Sequence, residues 1–181
     1  HKECFIPATI RCFGLQAVSR YAREAGEFVN LYSTSRGANR FPALLQTLDI
    51  LRIHPEVAHR GIRVPQLSAL AEWVQSEPMP GEPSLRKAIE AATGSVRDEL
   101  EMVLAWSQAV NASVRAMVSN VPPFPFAREG LQRAFSLADI IVVSATPQEA
   151  LQREWREHDL TRWVSAIAGQ EIGTKRDHLR L

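Results

Sequence analysis

A chain of 181 residues with 45% hydrophobic and 23% charged side chains can bury a sizeable core as one domain or two small ones, and this composition excludes a disordered polypeptide. Its 21 basic and 20 acidic residues leave a net charge of +1, so no global field draws it to nucleic acid or to an anionic membrane, and any anion recognition must be local. Two cysteines, Cys4 and Cys12, are too few for a disulfide framework and fit a reducing cytoplasm; no histidine pair accompanies them, as a metal site would require.

Residues 1–120 read as helices throughout. Val18, Tyr21, Ala22, Ala25, Phe28, Val29 and Tyr32 follow helical spacing, which predicts one amphipathic helix over 13–33. A polar stretch at 33–40 interrupts it. Pro42 opens the next helix, with Leu44, Leu45, Leu48 and Leu51 inward, and Pro65 starts another carrying Leu67, Leu70, Ala71 and Val74. The run Glu77-Pro-Met-Pro-Gly-Glu-Pro83 is a loop, because its prolines deny the backbone both helical and ladder hydrogen bonds. A short helix at 84–93 and a long one from Ser95 to about Ser119 follow, the latter with Ser95 and Asp98 placed as a capping box. No apolar run approaches the ~20 residues that span a bilayer, and no positively charged start precedes an apolar core.

Composition changes at Asn120-Val-Pro-Pro-Phe-Pro-Phe126, a proline hinge that divides residues 1–120 from 121–181. Beyond it the predicted order is helix (126–137), strand (139–144), helix (147–160), strand (164–168) and the start of a helix. Alternation of this kind implies a parallel sheet, to which two strands alone are too small a contribution. The strand Asp139-Ile-Ile-Val-Val-Ser144 delivers a hydroxyl to its carboxyl end, where open α/β sheets bind ligands. A helix starts at once, with Thr146 as N-cap, Pro147 at the first helical position and Glu149 in the capping-box place. Ser144 and the backbone N–H of Ala145 thus face an anion site at a helix N-terminus. Position alone equally suits Ser144 to a strand end bonded to nearby backbone. After the second strand comes Gly169-Gln-Glu-Ile-Gly-Thr-Lys175, whose lysine is unfavourable at a helix start unless an anion lies near.

With Ser144 ending one strand and Lys175 following the next, residues 121–181 resemble the haloacid dehalogenase-like (HAD) superfamily, and the helices before them look like its inserted cap. The resemblance implies an α/β fold: a HAD-like Rossmannoid core, incomplete in this chain, carrying an all-helical cap. It implies Mg2+-dependent hydrolysis of a small phosphorylated metabolite through an aspartyl-phosphate, with Ser144 bonding the phosphoryl group and Lys175 neutralising charge as the catalytic pair. The family's Asp-x-Asp nucleophile motif and its later acidic motif are absent here, so the chain is expected to be the middle of a longer protein, inactive by itself, with the magnesium ligands elsewhere. Dehalogenation in the same fold and a non-catalytic helical binding or scaffold protein are the alternatives.

In the cap, Asn30, Arg36, Asn39 and Arg40 gather around an interhelix bend and are the candidate substrate-binding residues, their guanidiniums suited to fork onto a phosphate or carboxylate. A solvated loop explains the same residues. The four tryptophans, Trp73, Trp106, Trp155 and Trp163, read as packing residues, and His54, His59 and His158 as surface residues without metal spacing.

Overall fold

The computed structural model describes residues 1–117, 121–144, 146–169, 172, 173 and 175–178, without the side chains of Lys175 and His178. The chain divides into two compact units, His1–Met117 and Val118–Leu181.

The first unit is helical. It contains α1 (Phe5–Cys12), α2 (Ser19–Glu27), α3 (Arg40–Arg52), α4 (Pro55–His59), α5 (Ser68–Ser76), α6 (Glu82–Ala91) and α7 (Gly94–Met117). Apolar residues at helical spacing point inward: Leu44, Leu48 and Leu51 on α3, and Leu100, Val103 and Val110 on α7. Phe41 packs edge-on against Trp73 at 5.1 Å and against Trp106 at 6.2 Å, so both indoles belong to the core. The Trp106 Nε1–H donates to Thr9 Oγ1 at 3.0 Å, which satisfies the one polar atom that this ring carries inside.

The helix expected over 13–33 is instead a 3-10 turn at Gln16–Val18, then α2, then a π turn at Phe28–Tyr32. The π turn widens because Ser33 N–H bonds Phe28 C=O at 2.7 Å. Side chains take up nearby carbonyls: Asn30 Nδ2 donates to Gly26 C=O at 2.8 Å and Ser33 Oγ to Val29 C=O at 2.7 Å. Other boundaries also move for physical reasons. Pro83 lies inside the first turn of α6, where a missing N–H costs nothing. α5 begins at Ser68 rather than at Pro65, and its Leu70 N–H is met by Glu99 Oε1 of α7 at 2.9 Å. The helix α4, not anticipated, is capped by His54, whose Nδ1 accepts from Glu56 N–H at 3.2 Å.

The second unit runs α8 (Ala127–Phe135), β1 (Ile141–Val143), α9 (Gln148–Glu157), a 3-10 turn at Thr161–Trp163, β2 (Ala166–Ala168) and α10 (Lys175–His178). β1 and β2 are parallel, with Ile141 opposite Ala166, Val142 opposite Ile167 and Val143 opposite Ala168. Pairing extends one step each way, through Ser165 N–H to Ile140 C=O at 2.8 Å and Ser144 N–H to Ala168 C=O at 3.0 Å. Among the described residues these strands form the whole sheet, three residues each where five or six were expected. Leu151 of α9, Leu160 and Ala168 are buried, whereas Ile141 is 62% and Leu137 85% exposed. The molecule is mostly helical with a small parallel sheet, compatible with the α/β class.

Candidate functional site

Ser144 stands at the carboxyl end of β1, half-buried, with its backbone fixed by the bond to Ala168. Its Oγ accepts from Thr146 N–H at 3.1 Å, closing a tight turn between strand and helix. Thr146 is therefore not the N-cap that its position suggested. The residue ahead of α9 is Pro147, no side chain caps the helix, and the amide of Thr146 is turned back to the serine. The hydroxyl of Ser144 still carries a proton to give, and among the described residues no acceptor takes it.

The start of α9 is joined to the end of β2 by Gln148, a residue that carried no signal beyond following Thr-Pro. Its Nε2 donates to Ile167 C=O at 2.8 Å, and its Oε1 accepts from Gly169 N–H. Lys175 is the first residue of α10, a few positions further along. Ala145 and Thr174 lie outside the described residues, as does the Lys175 ammonium. Glu149 is exposed in the first turn of α9, and Asp139 sits near the opposite end of β1, where its Oδ1 accepts from Ser165 Oγ at 3.1 Å. Among the described residues no group of three or more histidines, cysteines, aspartates or glutamates could hold a metal ion.

The four candidate substrate residues of the first unit differ in their surroundings. Asn30 bonds its own helix at Gly26. Asn39 is the N-cap of α3, accepting from Phe41 N–H at 3.0 Å, and its Nδ2 donates to Pro80 C=O at 2.7 Å. Arg40 turns inward: its Nη1 donates to Ser107 Oγ at 3.0 Å and to Asn111 Oδ1 at 2.8 Å, and its guanidinium stands 5.3 Å from the Phe5 ring. Burial lowers the Arg40 pKa, and the negative charge of Glu82 opposes that shift. Asn30 and Arg40 share the lining of a small cavity with Phe5, Thr9, Thr47 and Trp106. Arg36 alone of the four is exposed, with one long 3.5 Å contact to Ser33 C=O.

No protein-family model, curated protein or solved structure matches the chain. Among the described residues no helix is long and apolar enough to cross a membrane.

Proposed function

We propose that the chain carries the helical cap and part of the core of a HAD-like phosphohydrolase acting on a small phosphorylated metabolite. The supporting observation is the hydroxyl of Ser144, presented at the carboxyl end of a parallel strand beside the start of α9, with Lys175 opening the helix after the neighbouring strand. On this reading the Ser144 O–H donates to a phosphoryl oxygen and Lys175 supplies positive charge. Both gain in value as charge grows on the transferring group, which is where phosphoryl transfer is accelerated. The attacking aspartate and the magnesium ligands belong to chain beyond these residues. The exposed Ile141 on β1 agrees with a larger sheet, since parallel strands are ordinarily covered on both faces. Two free cysteines suit a cytoplasmic protein.

The test is made on the longer gene product. Metal-dependent phosphate release from a panel of phosphomonoesters, lost in Ser144→Ala and in Lys175→Ala, supports the proposal. Metal-independent release of halide from a 2-haloacid would move the chemistry to dehalogenation. No Asp-x-Asp upstream and no turnover would leave a non-catalytic helical binding protein.

A further inference from the structure

The helices of the first unit enclose a cavity of about 20 Å³, room for one or two groups the size of a water molecule. Ile6, Ala22, Leu44 and Trp106 give it a buried apolar floor. The hydroxyls of Thr9 and Thr47 also line it, but their protons are spent on the carbonyls of Phe5 and Ala43. Of the whole lining only Phe5, Asn30 and Arg40 are half-buried, so a ring, an amide and a guanidinium form the mouth.

Arg40 carries more donors than the fold uses. Its Nη1 holds Ser107 and Asn111, whereas Nε and Nη2 donate to nothing among the described residues. Glu82 bonds Ser107 and Asn111 rather than the guanidinium, and among the described residues no carboxylate lies within ion-pair distance of Arg40. A cation drawn partly out of water and held off its counterion gains from an anion that reaches it. Asn30 Nδ2 gives one proton to Gly26 C=O and keeps the other. We propose that this cavity is a binding site for a short-chain carboxylic acid, its carboxylate on Arg40 at the mouth and its one- or two-carbon tail on the apolar floor. Nε and Nη2 are the edge of the guanidinium that meets both oxygens of a carboxylate. One positive charge balances one negative charge, and the floor suits an alkyl group where a phosphate would bring only further oxygens without donors. The site lies within the helical unit and stands with or without the phosphohydrolase reading.

The experiment follows the arginine Nε–H signals of the 181-residue chain by 1H–15N NMR, with the Arg40 signal identified by its loss in Arg40→Lys. Sodium acetate, sodium formate, inorganic phosphate and sodium chloride are titrated in turn at one ionic strength. Acetate should move the Arg40 signal saturably, with a Kd on the order of millimolar, and formate, which lacks the methyl group, should bind roughly fourfold more weakly. Chloride and phosphate should not reproduce the shift. Asn30→Asp sets a negative charge in the mouth and should weaken acetate by roughly tenfold or more, with a thermal melt to show that the variant folds. No saturable shift with acetate, an equal shift with chloride or phosphate, formate binding as tightly as acetate, or wild-type affinity in Asn30→Asp overturns the proposal. The comparison of the four anions on the wild type decides it even where a variant fails to fold.

Discussion

Arg40 and Glu82 carry opposite charges and are joined through Asn111, whose Oδ1 accepts from Arg40 Nη1 at 2.8 Å and whose Nδ2 donates to Glu82 Oε1 at 2.7 Å. Ser107 makes a second bridge, accepting from Arg40 Nη1 at 3.0 Å and donating to Glu82 at 2.9 Å. The start of α3, the middle of α7 and the start of α6 are thereby tied in one network. Arg40→Ala should lower stability by about 1.5–3 kcal/mol, the range for hydrogen bonds to a charged group, because it strands acceptors that water reaches poorly. Arg40→Lys should fall between, since one ammonium cannot reproduce the planar fork. Urea unfolding followed by circular dichroism checks both, and an unshifted midpoint in Arg40→Ala would return this side chain to the solvated loop in which its sequence position had placed it.

Arg36 makes the opposite case. Exposed and, among the described residues, bonded only to its own loop, it should be replaceable by alanine with less than about 0.5 kcal/mol of destabilisation. If the 33–40 segment reads substrate, Arg36→Ala in the longer protein changes the ranking of phosphorylated substrates. An unchanged ranking at unchanged efficiency would remove the segment from substrate choice.

Leu44, Leu48 and Leu51 announce the buried face of α3 because their spacing is the helical period itself, and the same holds for Leu100, Val103 and Val110. The parallel strands were legible from the β-branched run ending at Val143, but their length was not, since pairing depends on a partner and Ile140 and Ser165 reach only one bond beyond the ladder. Asn39 and Arg40 show why the site was harder to read. Both look like loop polars in sequence, and their roles are set by Pro80, Ser107 and Asn111, 41 to 71 positions away along the chain. Gln148 is the same problem reversed: it bonds Ile167 on β2 and Gly169 just beyond it, 19 and 21 positions along the chain, and a helical glutamine carries no mark of such a contact. Thr146, by contrast, matched a capping signal, yet no side chain caps α9 and the Thr146 amide is bonded by Ser144 Oγ in the turn before it.

The core cluster of the first unit is drawn wholly from residues between Ile6 and Val110, and its centre includes Trp106, Phe41, Leu48 and Leu51. A fragment of residues 1–117 should therefore fold alone, giving a helical spectrum and one cooperative melt. Residues 118–181 should not, because among the described residues there few apolar side chains are buried and the sheet has two strands, too small to stand by itself. A non-cooperative melt for 1–117, or a sharp one for 118–181, would reverse that assignment.

Activity gives the last expectation. The 181-residue chain has no Asp-x-Asp, and the one aspartate near β1, Asp139, sits at the far end of the strand from Ser144, bonded to Ser165. Rigorously purified, this chain should show no turnover of p-nitrophenyl phosphate with or without magnesium. On the phosphohydrolase proposal, Lys175→Ala in the longer protein should lose far more kcat than affinity, by roughly 10²–10³-fold, since a charge that meets the phosphoryl group is worth most when that group is in transit. On the same proposal Ser144→Ala should act in the same direction, as it would remove a donor to the same oxygens. A wild-type kcat in a well-folded Lys175→Ala protein would reduce the lysine to a helix-start residue, and turnover by the 181-residue chain that disappears in Ser144→Ala would show that these residues hold the reacting groups themselves.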